Sequence, residues 1–460
     1  MSIRQAVLAV AVLCGSFGAS PLLAASGPNP APLHSWLLPI AAWVGVVWLG
    51  ALLVLLVAGW ALSRAALEAA ARVPTVASGR AFGASAFLRK TYGVVLWLCC
   101  AYYYVSIPLI VGAVLLLGGG LIYGFFALGR VPIKLVAIIA ILVLATVWSI
   151  LKSLFVRVVD EDPGVRLDLR SHPRLRAVLQ EVATRVITRP VQAVYLTPGT
   201  DVAVMERGGL SQQLRGAAER CLILGVGVLE GMRVGAFKAI LAHEYGHFSN
   251  RDTAGGGFAL AVRRSLLTMA GNLAQSGTAA WYNPAWLFLN GFYRVFLRIS
   301  LGASRLQEVM ADRWAAFTYG SKAFEEGLRH VIERSVRFDA HAVTTLQEVV
   351  QGQQALANLY AHRPASAPEA TEVDKAVKEA LRRPASAYDS HPSPTERLRW
   401  VRALAAKGKV ASPDDAADAW SLFPDREQIE QHMTGEVRNN MFHSHGIKIE
   451  GRAEDPAVMT

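Results

Sequence analysis

Long uninterrupted runs of apolar residues occupy the first third of the chain. They lie at about Trp36 to Leu62, Tyr92 to Leu117 and Val131 to Leu151. At about 1.5 Å per helical residue, each can cross roughly 30 Å of hydrocarbon. Their length and near-absence of charge favour membrane helices over buried core helices, so residues 36–151 read as a transmembrane region of about three spans. The apolar stretch GGGLIYGFFAL between the second and third runs is either a re-entrant piece or part of one long tilted helix. Ahead of the first run, MSIRQAVLAVAVLCGSFGASPLLAAS has one early positive charge at Arg4, an apolar stretch to about Phe17 and small residues at Ala24 and Ala25. Residues 1–25 therefore read as a signal peptide or as an uncleaved first membrane helix.

After about Lys152 the pattern changes. HPRLRAVLQEVATRV places Leu175, Val178, Leu179, Val182 and Val186 at helical spacing. QAVYLTP, VAVMERG and RCLILGVGVL read as short strands between turn residues. MRVGAFKAILAHEYGHFSN is helical again. A helix, a small sheet and a long helix make a mainly α, α+β domain over 152–420. Within it, the aromatic-rich segment at 281–302 carries Arg294 and Arg298 at i,i+4 spacing. It reads as an amphipathic helix lying on or dipping into a membrane surface, with a spanning pair or an ordinary core-facing helix as alternatives. HRPASAPEAT near His362 reads as a linker, and residues 421–460 as a polar C-terminal tail.

Composition agrees with a membrane protein: 53% of residues are hydrophobic, and the net charge is +11. In such a chain the charge reflects the bias of cytoplasmic loops toward Lys and Arg. No basic run interleaved with aromatics supports nucleic-acid binding. The segment Ser63 to Lys90 carries Arg64, Arg72, Arg80, Arg89 and Lys90 against Glu68. Held in the cytoplasm, it places everything after the third span in the cytoplasm too; a fourth crossing within GGGLIYGFFAL reverses this. The four cysteines, Cys14, Cys99, Cys100 and Cys221, form no disulfide framework. High Ala and Arg content suggests a GC-rich bacterial genome, and so a multi-pass protein of the bacterial inner membrane.

The chemistry concentrates in KAILAHEYGHFSNRD, Lys238 to Asp252. Residues four apart share one helix face, so His243 and His247 can offer two imidazole nitrogens to one metal. Glu244 sits one position round, placed to act as a base. Two histidines with this glutamate form the HExxH pattern of zinc peptidases. The alternative, a solvated helix with surface histidines, conflicts with the apolar residues just before the motif. Thr253 stands where a metzincin would have its third histidine. In ASRLQEVMADRWAAF, Glu308 and Asp312 are again four apart, which makes Glu308 the natural third ligand and Asp312 a hydrogen-bond acceptor for a ligating histidine. Asp252 is a further acid that can support a ligand from behind. In YDSHPSPTERLRW, His391 and Arg397 either stabilise developing oxyanion charge or simply belong to a helix start capped by a serine, with Pro394 in its first turn.

ILAHEYGHFSNRD, SRLQEVMAD and SHPSPTERL, in this order behind N-terminal apolar spans, resemble the HtpX and CAAX prenyl protease family of membrane zinc metallopeptidases. The likeness rests on three short blocks within 233–400 and does not reach the C-terminal tail. It implies a zincin-like, gluzincin-type core, one zinc ion, and endopeptidase activity on peptides or misfolded membrane proteins. His243, His247 and Glu308 would be the ligands, Glu244 the base, Asp312 a residue behind the ligands, and His391 with Arg397 substrate or oxyanion contacts. The family often has an Asn-Ala pair on the strand before the catalytic helix, where this chain has Asp201-Val202 in GTDVAVMERGG. The prenyl proteases have more spans than the three or four counted here, which is closer to the HtpX type.

The expected activity is therefore zinc-dependent hydrolysis of peptide bonds by a protein seated in a lipid bilayer. Substrate is expected to lie as an extended strand along the edge near Val202 and Val204. A dedicated processing protease differs from a general one only in selectivity. A membrane scaffold with a structural zinc site is a third reading. Glu244 argues against it, since a structural site needs no base, and no Cys or His near Glu308 offers a fourth ligand.

Overall fold

The computed structural model describes residues 34–71, 83–129, 131–155, 162–208, 218–249, 256–366, 369–386, 389, 391–408 and 412–451. The N-terminal segment expected as a signal peptide lies outside them, as does Asp252. Three long apolar helices come first: α1 (His34–Ala71), α2 (Gly83–Ala127) and α3 (Ile133–Leu154). Their stretches Ala42–Ala65, Lys90–Ala127 and Ile133–Leu154 are long and apolar enough to cross a membrane.

All of GGGLIYGFFAL but its last residue, Leu128, lies within α2, which runs unbroken for 45 residues. The apolar part of α2 covers 38 residues, about 57 Å at 1.5 Å per residue, nearly twice the thickness of a hydrocarbon core. Its two halves differ. Tyr92, Leu96, Cys99, Cys100, Tyr103 and Ile107 are buried, whereas Leu116, Leu121, Tyr123 and Phe126 are exposed. One face of the first half is a protein-packed stem while Val94, Trp97 and Val105 point outward, and the second half turns most of its apolar side chains outward.

The stem packs against a helical hairpin formed by α6 (Gly256–Gln275) and α7 (Pro284–Tyr319). Tyr103 lies over Phe288 and Phe292, with ring centroids 6.4 and 5.5 Å away. Polar groups join the same layer: Tyr103 Oη lies 2.8 Å from Ser265 Oγ, which donates to the Ser153 carbonyl at 3.0 Å. Asn283 Nδ2 donates to Thr146 Oγ1 at 3.1 Å. The segment 281–302 is thus the start of a longer helix whose inner face, Phe288, Phe292, Phe296 and Ile299, is buried in protein. α7 begins cleanly because Asn283 accepts from the Ala285 amide at 2.9 Å and Pro284 occupies the first turn.

The three expected strands are present as β2 (Ala193–Thr197), β3 (Val202–Arg207) and β4 (Glu219–Gly225), joined by a short β1 (Val165–Leu167). Sheet order is β1-β2-β4-β3; β2 and β4 are parallel, and the outer pairs are antiparallel. β3 is therefore an edge strand. Val194, Leu196, Leu222 and Leu224 face a core shared with α4 (Pro173–Val186) and α5 (Val234–Ser249).

α8 (Ser321–Gln351), α9 (Ala370–Arg382) and α10 (Pro394–Leu404) follow, with the expected linker between α8 and α9. The stretch after Ser421 differs from the polar tail expected of it. It contains α11 (Arg426–His445), whose Ile429 and Met433 join the main core. α11 has a weak apolar periodicity, so its docking stripe is hard to see among its polar residues.

Candidate metal centre

α5 is buried on almost every side: Phe237, Ala239, Leu241, Ala242 and Tyr245 have no exposed surface. One charge is carried into this setting. Lys238 Nζ meets Glu181 Oε2 at 2.9 Å and Asp415 Oδ1 at 2.8 Å, which offsets the cost of burying an ammonium. α5 crosses α7 at Gly246. A Cβ there would stand 3.1 Å from the Cα of Ala311, tighter than ordinary packing. Glycine and alanine at the crossing thus bring His243 and His247 of one helix against Glu308 and Asp312 of the other. The sequence shows this glycine inside the HEYGH motif without showing what it lies against.

His243 Nε2 and Glu308 Oε2 are 3.4 Å apart, as are His247 Nε2 and Glu308 Oε1. One ligand atom from each of the three residues lies within 4.8 Å of the other two. With zinc–ligand bonds of about 2.0–2.1 Å, a tetrahedron has edges of about 3.3–3.4 Å. Two imidazoles and one carboxylate at these spacings fit zinc and leave a fourth direction open.

The surrounding groups set the charge of this cluster. His243 Nδ1 lies 2.9 Å from Asp312 Oδ1, leaving Nε2 toward Glu308. Burial disfavours a charged His243, but Asp312 and Glu308 outweigh it and lift its pKa to about 10. Burial, reinforced by the neighbouring His243, pushes His247 down to about 4, so its ring is neutral at neutral pH. Glu308 is held well below the usual carboxylate range, with His243, His391 and Arg397 overcoming burial. Glu244 goes the other way: burial raises it. Its Oε1 is 4.0 Å from His243 Nε2, and its Oε2 accepts from the Val204 amide of the edge strand at 3.3 Å.

Arg397 is buried and forms a two-pronged pair with Asp312: Nε to Oδ2 at 2.9 Å and Nη2 to Oδ1 at 2.6 Å. Its second contact is Glu308 Oε2 at 3.5 Å. It therefore sits behind the three possible ligands, against the acid that orients His243, and not in an open oxyanion position. His391 is more exposed, with Nδ1 at 2.9 Å from Glu308 Oε2. The capping reading of this stretch is also present. Ser393 Oγ accepts from the Glu396 amide at 3.3 Å, and Glu396 Oε2 accepts from the Ser393 amide at 3.1 Å. Phe324 of α8 stacks on His243, centroids 5.6 Å apart. Nothing in its sequence neighbourhood marks it, because the contact joins distant helices.

The model of peptidase family M48 matches residues 217–405. That stretch includes β4, both helices of the cluster and the His391–Arg397 turn. No curated protein and no solved structure matches the chain.

Proposed function

We propose that this chain, whose residues 217–405 match peptidase family M48, the zinc metallopeptidases that include HtpX and the CAAX prenyl proteases, is a membrane-anchored metalloendopeptidase acting on misfolded or membrane-associated proteins. The observation that carries this reading is the cluster of His243, His247 and Glu308 with Glu244 beside it. His243, His247 and Glu308 would hold one zinc ion, which supplies Lewis acidity that makes a water acidic and a carbonyl electrophilic. Glu244, half-buried and raised, takes the proton of the attacking water and passes it to the leaving amine. Asp312 fixes the ring of His243, and Arg397 holds Asp312 ionised. His391, at the rim, is placed to meet substrate or developing oxyanion charge.

Extended substrate adds to β3, with the outward backbone groups of Val202 and Val204 as its partners. The Val204 amide, which reaches Glu244, is on this free edge. The basic segment Ser63 to Lys90 supports a cytoplasmic catalytic domain in a bacterial inner membrane. Protease accessibility in sealed vesicles of either orientation tests that placement; digestion only from the periplasmic side reverses it.

The direct test compares wild type with Glu244→Gln, both purified with zinc, on unfolded casein. Loss of the base should reduce cleavage by about 10²–10⁴-fold at unchanged zinc content. Equal cleavage by both removes Glu244 from the mechanism. Absence of cleavage by a zinc-loaded wild type favours a single-substrate processing enzyme or a scaffold with structural zinc.

A further inference from the structure

An open-sided groove of about 500 Å³ lies between α8, α9 and α10. Cations from all three helices border it, beside a larger apolar area and Thr395. Arg329 comes from α8, Lys378 and Arg382 from α9, and Arg399 and Arg402 from α10, with Leu381 and Leu398 as its apolar part. One carboxylate serves two of these cations: Glu325 meets Arg402 at 2.5 Å and Arg329 at 3.2 Å. Those contacts hold Glu325 below the usual carboxylate range and fix both guanidinium groups in place. Lys378, Arg382 and Arg399 have no ion-pair partner among the described residues.

This arrangement carries a cost in the free protein. Lys378 and Arg382 are four apart on one helix, where like charges repel. They face further cations across an open-sided groove, so positive potential adds up along it. The cations of the three helices keep their head groups in water but border one shared groove, whereas an ordinary solvated face carries its charges along a single helix. Guanidinium forks and an ammonium group are the donors that match phosphoryl oxygens. The volume is in the range of small-molecule sites and exceeds the needs of one phosphoryl group. We propose that this groove binds a phosphoryl-bearing anion, held by Lys378, Arg382 and Arg399 between the fixed guanidinium groups of Arg329 and Arg402. The group can come from a soluble phosphate or from an anionic lipid headgroup, which share this chemistry.

The test is calorimetric titration of the full chain in neutral detergent with sodium pyrophosphate, inorganic phosphate, short-chain phosphatidylglycerol and short-chain phosphatidylcholine. The same titrations are made on a Lys378→Ala/Arg382→Ala/Arg399→Ala variant and on Lys375→Ala, an exposed cation outside the groove lining. Wild type and Lys375→Ala should bind a phosphoryl anion alike, more weakly as salt is raised. The triple variant, with its thermal unfolding unchanged, should bind at least about tenfold more weakly, the scale of one lost charge-assisted hydrogen bond. Binding of pyrophosphate or phosphate identifies a soluble ligand. Binding of phosphatidylglycerol alone, and not phosphatidylcholine, identifies a headgroup. The proposal is overturned if none of these anions binds wild type, or if the triple variant binds as wild type does. Neither result depends on proteolysis, so this site and the peptidase reading stand or fall separately.

Discussion

The outer half of α2 and helix α5 have similar apolar character and opposite surroundings. In α2, Leu116 and Tyr123 are about three-quarters exposed, whereas in α5 Phe237, Leu241 and Tyr245 have no exposed surface. The difference lies in what each helix leaves for its neighbours. The outer half of α2 turns Leu116, Leu121, Tyr123 and Phe126 outward, suited to a hydrocarbon solvent that needs no complementary shape. α5 has small residues at Ala239, Ala242 and Gly246 beside large ones, so other helices can approach it closely. Only the second arrangement can bury His243, Glu308, Asp312 and Arg397 and still pair them. Apolarity alone thus does not distinguish a lipid-facing helix from the support of a metal site.

The comparison breaks most sharply at the buried charges. Arg397→Leu leaves Asp312 unpaired beside His243 and should cost about 3–5 kcal/mol of stability. Adding Asp312→Asn should recover part of that loss, a coupling read by chemical denaturation of all four combinations. Additive losses would mean that the Arg397–Asp312 pair does not act as a unit.

Truncation of apolar side chains sharpens the contrast between the helices. Phe237→Ala should cost about 3–5 kcal/mol through the cavity it leaves. Leu116→Ala in the same detergent should change stability by less than about 0.5 kcal/mol. Similar losses at both sites would mean that the outer half of α2 is covered by protein.

The smallest effect is expected at the sheet edge. Val204→Pro removes the amide that reaches Glu244 and one partner for an added strand. Cleavage should fall by about fivefold, near the value of one hydrogen bond, while zinc content is retained. Unchanged cleavage places substrate elsewhere.

Much of this molecule is legible from spacing along the chain. The apolar runs, the strand and helix alternation after residue 152, and the pairs His243/His247 and Glu308/Asp312 all follow from local periodicity. Each pair shares a helix face because of helical geometry, whatever the rest of the chain does. The family likeness of the three motif blocks, which the M48 match supports, was available there too. The unbroken course of α2 was less clear, because three consecutive glycines at 118–120 weaken any local prediction of a helix. Packing against Val143 of α3 and the absence of a breaking proline at that point leave it helical. The docking of α11 was obscured by its polar residues, since two core contacts do not make a visible apolar stripe.

Local spacing is enough to specify the elements and the residues that share a face within each. Contacts between elements arise only when the helices and the sheet pack together. Arg397 is separated from Asp312 by 85 positions, and Phe324 from His243 by 81, so no local pattern records either contact. The same holds for the groove lined by Lys378, Arg382 and Arg399. On paper its charges are ordinary basic residues of two short helices. They become one concave surface because α8, α9 and α10 pack with those faces turned toward each other. Periodicity is a property of one helix, whereas juxtaposition depends on how side-chain volumes fit between helices, and that fit is only realised when the whole core is assembled.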